Sequence, residues 1–203
     1  MERLQQSTSR QIQIPRNPDQ RSEDIKEIVI KDIISSARDA KTNDVLLVLM
    51  GHSQGANIIY DILSDSKYRR KFEAELQFEL DNYLFISVGT QIGLFEELGL
   101  FKKRTDYQNQ KPKGCMSWWH FYKDNDVLSF AAMNKKLFIE KNGSHSVDEQ
   151  INVTEGGDDN ILKAHSSYFQ IKDSARDLND PQKMTPFEIE LRRLLGIFGN
   201  SKN

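Results

Sequence analysis

The apolar positions of the chain fall into helical stripes and short continuous runs, which predict helices and strands in alternation. Residues 22–40 carry apolar side chains three and four positions apart, and 67–80 form a more charged segment, so each predicts a helix. The runs 45–50, 83–88 and 117–122 predict strands. The first run is apolar throughout, as expected for a parallel strand covered by helices on both faces. This alternation predicts an α/β protein with a mostly parallel sheet flanked by helices.

Later parts of the chain give further signals. Residues 136–140 and 150–153 predict weaker strands on either side of a turn-rich segment. A last helix is marked by a capping box, in which Thr185 precedes Glu188 by three positions. Gly199 is placed to end that helix.

Length and composition limit the organisation and the partners. Residues 1–21 are polar and predict an irregular arm, whereas 22–203 predict a single domain. Positive and negative side chains are nearly balanced, with a net charge of -2, so no nucleic-acid partner is expected. The single cysteine, Cys115, excludes an intrachain disulfide and fits a reducing, cytoplasmic location. No apolar run approaches the length of a membrane span.

The most informative motif is Gly51-His52-Ser53-Gln54-Gly55, which reads G-x-S-x-G. It lies between the first predicted strand and a helical stripe, which is the setting of a nucleophile elbow. Both glycines are expected where the strand and helix backbones pass too close for side chains. The alternative is an ordinary strand-to-helix turn in which Ser53 caps the helix.

A serine hydroxyl becomes a strong nucleophile when a histidine takes its proton and a carboxylate orients that histidine. In enzymes with this elbow the partners follow in the order Ser, Asp or Glu, His. Order and context favour His165, and His145 is the alternative. His52 should point away from the serine hydroxyl, and His120 should be packed within a strand.

The acid is expected in the loop after the third strand. Asp126 is favoured because apolar residues follow it, which anchors it at the edge of the core. Asp124 is the alternative, and both carboxylates also suit a backbone turn. The sequence holds neither a cysteine pair nor a close histidine pair, so no metal or cofactor is expected.

Four blocks, 49–63, 85–94, 119–129 and 165–168, resemble lipase- or esterase-type serine α/β-hydrolases, in the group related to GPI-inositol-deacylase-like and bacterial lipase-like proteins. The third block resembles the family's Trp-x-Asn-x-Tyr…Asp-Pro-Val stretch, and the fourth its catalytic His-x-x-Tyr. The resemblance implies a carboxylic ester substrate, of lipid or acyl type. It implies the following roles: nucleophile Ser53, acid Asp126, base His165 and, through its backbone N–H, oxyanion donor Gln54.

The sequence also departs from this family. Gln91 and Val127 stand where prolines are common, and His120 stands where an asparagine is usual. Only one helix and a polar arm precede the central strand, so the hydrolase scaffold is expected to be incomplete on its N-terminal side. The missing part of the scaffold would supply a second N–H donor to the oxyanion. Loss of one such donor lowers turnover by roughly 10²–10³-fold.

An incomplete scaffold has two consequences for partners. It predicts an uncovered edge strand, which favours association with a second copy or another chain. It also raises an alternative function, a non-catalytic or partner-completed interaction module.

Four apolar side chains after the second predicted strand have two interpretations. They form either a lid or acyl-binding wall, or part of the ordinary core: Phe95, Leu98, Leu100 and Phe101.

Overall fold

The computed structural model describes residues 18–101, 111–129, 147–154, 161–169 and 184–196. Several sequence-based predictions lie outside these ranges. They are the strand at 136–140, most of the arm, the alternative base His145 and the helix end at Gly199.

Four strands form one parallel sheet, in the order β1-β2-β3-β4. They are β1 (Val48–His52), β2 (Tyr83–Val88), β3 (Cys115–Tyr122) and β4 (Glu149–Asn152). The prediction of an α/β protein with a parallel sheet is confirmed. Because all four strands run in one direction, the segments that follow them meet at one edge of the sheet.

The helices connect and cover these strands. They are α1 (Pro18–Asn43), α2 (Gln54–Ser64), α3 (Ser66–Leu76), α4 (Ile92–Glu97), α5 (Ile161–Ser166), followed by a 3-10 turn (Ser167–Phe169), and α6 (Pro186–Leu194). Within the described ranges, none of these helices has the length and apolar character needed to cross a membrane.

The boundaries of three helices differ from the prediction. α3, predicted over 67–80, ends at Leu76 because Gln77 adopts a left-handed φ of 60°. α1 extends beyond 22–40 at both ends, since Pro18 suits a first helical turn and Asp44 ends the helix with a left-handed φ of 52°. α6 has the predicted capping box at Thr185 but ends at Leu194, and Gly196 follows with a φ of 67°. The glycine that follows the end of this helix is therefore Gly196 rather than Gly199.

The sheet separates two apolar layers. On one face, buried side chains of α1, α2 and α3 pack against Phe85 and Trp118. On the other face, Tyr168 and Phe187 pack against β2, β3 and β4 through Ile86 and neighbouring residues. Strands β2 and β3 are consequently covered on both faces.

Strand β1 is covered on one face only. Leu49 is buried beneath the helices, whereas Val48 and Met50 are 41% and 47% exposed. The expectation that helices cover both faces of this strand is therefore wrong. The physical reason is that the Tyr168 and Phe187 layer lies over β2–β4 and reaches β1 only at its last residue, His52.

An ion pair and a hydrogen bond hold α1 against α2 and α3. The buried Lys26 ammonium lies 2.5 Å from the Asp61 carboxylate of α2, and the Tyr68 hydroxyl donates to Glu23 at 2.9 Å. These contacts hold the amino-terminal half of α1 against the later part of α2 and the start of α3.

Candidate active site

Ser53 occupies a tight turn between β1 and α2. Its backbone has a φ of 52° and a ψ of -127°, a conformation that costs an L-residue about 1–3 kcal/mol. The Ser53 N–H donates to the Val88 carbonyl at 2.9 Å, which attaches the turn to β2. A Cβ at Gly51 would lie 2.6 Å from both the nitrogen and the Cα of Ala56, so the close approach predicted at this glycine is present.

Gly55 does not meet the same constraint. A Cβ built there meets no atom within 4 Å outside its own helix, and the residue is exposed. The steric reason that the motif suggested for Gly55 is therefore wrong, because the position of a Cβ on this residue faces open space.

Three side chains from distant parts of the chain form one line of hydrogen bonds. The Ser53 Oγ lies 2.8 Å from His165 Nε2, and His165 Nδ1 lies 2.9 Å from Asp126 Oδ2. An ionised carboxylate can only accept, so Nδ1 carries the imidazole proton. Nε2 is then free to accept the hydroxyl proton of Ser53.

The Asp126 carboxylate is fully buried and has further donors. Its Oδ1 accepts from the Leu128 N–H at 3.0 Å, and its Oδ2 accepts from the Tyr168 hydroxyl at 2.9 Å. Burial raises the pKa of the Tyr168 phenol, so the hydroxyl remains a donor. Asp124 lies elsewhere and accepts from the Asn152 amide at 2.5 Å.

Gly89 gives Tyr168 room to reach the carboxylate. This glycine follows β2 with a φ of 53°, in the left-handed region. A Cβ there would lie 2.8 Å from a Tyr168 ring carbon and 3.3 Å from Asp126 Oδ2. Gly89 therefore contributes to the site because it has no side chain.

A network of side-chain hydrogen bonds around the buried Asn57 and Thr90 fixes the start of α2. The Thr90 hydroxyl donates to Asn57 Oδ1 at 2.5 Å, and the Asn57 amide donates to Gln54 Oε1 at 2.6 Å and Gln91 Oε1 at 3.0 Å. This role of Asn57 was not predicted from the sequence. The available signal was a polar residue next to Ala56 on the buried side of α2.

Lys123 was also missed. Its side chain is buried, and its ammonium donates to Ser167 Oγ at 2.6 Å and lies 5.1 Å from the centre of the Tyr168 ring. This residue thus links the loop that carries Asp126 to the segment that carries His165. Only its position, three residues before Asp126, hinted at this role.

Two other histidines have different surroundings. His52 Nε2 lies 3.0 Å from the backbone oxygen of His165. His120 is buried within β3 beside Ser87, and burial lowers its pKa to about 4. Burial also raises the pKa of the Cys115 thiol to about 12, which keeps it protonated at neutral pH.

Gln54 is the first residue of α2. Its backbone N–H therefore belongs to the first turn, whose N–H groups have no acceptor within the helix and carry the positive end of its dipole. Within the described residues, no group of three or more His, Cys, Asp or Glu side chains is arranged to hold a metal ion.

A cavity of about 220 Å³ lies beside this first turn. Its lining includes both apolar side chains and the buried Lys26–Asp61 pair. Its apolar wall consists of Ile58, Phe95, Leu100 and Phe101. A larger cavity of about 330 Å³ lies at the opposite, amino end of the strands, beside Leu47 and Asn82.

No known protein family, curated protein or solved structure matches this chain. A functional proposal therefore rests on the geometry of these side chains.

Substitutions at the two elbow glycines should have different effects on stability. Gly51→Ala forces a methyl group against the Ala56 backbone and should lower the free energy of unfolding by about 1–3 kcal/mol. Gly55→Ala should leave it unchanged or raise it by up to about 1 kcal/mol, because alanine favours a helix. Urea unfolding followed by circular dichroism measures both; equal destabilisation would contradict this description of the turn.

Proposed function

We propose that the chain is a serine hydrolase with an α/β-hydrolase scaffold that cleaves carboxylic esters, of lipids or other acyl compounds. The observation that carries the proposal is the hydrogen-bonded line Ser53–His165–Asp126, which begins on a strained turn. A nucleophile, a base within reach and a group that orients the base are the parts that acyl transfer requires.

In the first half of the reaction, Ser53 Oγ attacks the ester carbonyl carbon while its proton passes to His165 Nε2. The carbonyl electron pair moves to the oxygen, which becomes an oxyanion. Asp126 stabilises the imidazolium that forms, since its buried carboxylate stays bonded to Nδ1. Collapse of the intermediate expels the alcohol, which takes the proton from Nε2 and leaves an acyl group on Ser53.

In the second half, a water molecule replaces the alcohol. His165 Nε2 takes one water proton as the oxygen attacks the acyl carbon. The new intermediate collapses, the bond to Ser53 Oγ breaks, and the proton on Nε2 returns to the serine. The product is a carboxylic acid, and the enzyme regains its starting state.

The Gln54 backbone N–H is the oxyanion donor in this proposal. It immediately follows the nucleophile and opens α2, so the helix dipole adds to its hydrogen bond. The amide network of Asn57, Thr90 and Gln91 supports this role because it holds the first turn of α2 in place.

The cavity beside Gln54 supports an acyl substrate. Phe95, Leu100 and Phe101 offer apolar surface in a cavity that Gln54, the residue after the serine, also lines. Leu98 belonged to the same predicted wall, but it does not line the cavity and is 62% exposed. We therefore assign the acyl chain to the side of the site formed by α4 and the residues after it.

The exposed face of β1 favours a second candidate function. Val48 and Met50, with Leu46 just before them, leave an apolar strip at one side of the sheet. An uncovered apolar strand of this kind suits pairing with another chain. In this alternative, the chain is an interaction module or becomes an efficient hydrolase only when a partner covers β1.

Trapping of the acyl-enzyme tests the leading function. Intact-mass spectrometry of the chain mixed with a p-nitrophenyl ester should show one acyl group on Ser53, accompanied by a burst of p-nitrophenol. Asp126→Asn should reduce turnover by roughly 10⁴-fold, because the wrong imidazole tautomer then faces the serine. Asp124→Asn is the matched control and should behave like the unmodified chain, since Asp124 is bonded to Asn152. If the folded chain acquires no acyl group, the result contradicts the leading function and favours the partner-completed alternative.

Two neighbouring leucines test the acyl-binding side. Leu100 and Leu98 are similarly exposed, at 59% and 62%, but only Leu100 lines the cavity. Leu100→Asp should raise the KM for an octanoyl ester by about tenfold, since contact with one buried aliphatic side chain contributes about 1.5 kcal/mol or more. The KM for an acetyl ester should change little. Leu98→Asp is the control, and an equal effect from both substitutions would contradict the assignment.

A further inference from the structure

His52 occupies a special place on the nucleophile strand. It is the last residue of β1, directly before Ser53, and its side chain is half-buried. The side chains of Val48 and Met50, four and two positions earlier on the strand, are exposed instead. The partial burial of His52 results from its contacts with the segment that carries the candidate base.

The contacts of His52 link the strand that carries Ser53 to the segment that carries His165. His52 Nε2 lies 3.0 Å from the backbone oxygen of His165, 113 positions later in the sequence. Its ring centre lies 5.0 Å from that of His165, 5.6 Å from Tyr168 and 5.5 Å from Phe169. Ser53 and the His165 backbone are thus linked through one side chain adjacent to the serine.

The contact determines the chemistry of His52. A carbonyl oxygen can only accept, so Nε2 carries a proton and donates. Burial lowers the pKa of His52, and this effect outweighs the hydrogen bond to the His165 backbone, which raises it. His52 therefore stays neutral at neutral pH, and His165 can become an imidazolium without a second cation beside it.

The imidazole of His165 is held on two sides. Its ring nitrogens are bonded to Asp126 and Ser53, which sets the orientation of the ring. The main chain behind the ring is bonded to His52. A shift of about 1 Å in a reacting group can cost about 100-fold in rate, so a bond that fixes this main chain affects the chemical step.

We propose that His52 is a positioning residue, whose Nε2–H bond to the His165 carbonyl keeps the base at hydrogen-bond distance from Ser53. This inference rests on the proposed hydrolase function. It assigns a supporting role to His52, the residue before the serine in the G-x-S-x-G motif, beside the roles proposed above for Ser53 and Gln54.

Two substitutions separate the hydrogen bond from the packing. His52→Gln replaces the donor with an amide nitrogen at a similar distance from the backbone, whereas His52→Phe keeps an aromatic ring but has no donor. Met50→Gln lies on the same face of the same strand and is the matched control. Circular dichroism and thermal unfolding establish that each variant is folded.

Steady-state kinetics on a p-nitrophenyl ester provide the first measurement. His52→Phe should lower kcat by about 10- to 100-fold with little change in KM, because positioning acts on the chemical step. His52→Gln and Met50→Gln should stay close to the unmodified chain. Unchanged kcat in His52→Phe, or equal losses in His52→Phe and His52→Gln, would overturn the proposal.

Nuclear magnetic resonance provides a second measurement that needs no turnover. The His165 Nδ1–H bonded to Asp126 should give a strongly deshielded proton, identified by its loss in His165→Ala. His52→Phe should broaden or remove this signal, and His52→Gln should retain it. If the unmodified chain shows no turnover, the hydrolase function fails, and this signal alone decides whether His52 positions His165. A signal unchanged in His52→Phe would then overturn the proposal.

Discussion

The tight turn at Ser53 is the constraint on which the rest of the site depends. It places a non-glycine residue at positive φ, a conformation that persists only when surrounding contacts enforce it. Three contacts do so: Gly51 packs against Ala56, the Ser53 N–H bonds to β2, and the Asn57 network holds the first turn of α2. With the hydroxyl fixed at the carboxyl edge of the parallel sheet, the segments that follow β3 and β4 can bring Asp126 and His165 to it.

Local patterns were sufficient to predict most of the elements. Apolar runs identified β1, β2 and β3, and the capping box identified the start of α6, because these signals lie within a few residues of each other. The cover of β1 could not be predicted, since it depends on where Tyr168 and Phe187 pack. The same limit applied to Gly55, whose freedom depends on the direction of approach of a neighbouring backbone.

The candidate site divides in a similar way. The motif and the order of residues were enough to select Ser53, Asp126 and His165, and the structure brings these three side chains together. The contacts that support them were not visible in the sequence. Lys123 bonds to Ser167 across 44 positions, and His52 to His165 across 113, so neither pair leaves a local pattern. Such supporting groups are found only when the fold sets their distances.

Reaction of Ser53 with a fluorophosphonate tests the central claim most directly, because the reagent modifies serines that a neighbouring base has activated. The account predicts one label per chain, mapped to Ser53, and no label in Ser53→Ala or in His165→Ala. A folded, monodisperse chain that remains unlabelled, or a label that persists in His165→Ala, would contradict it.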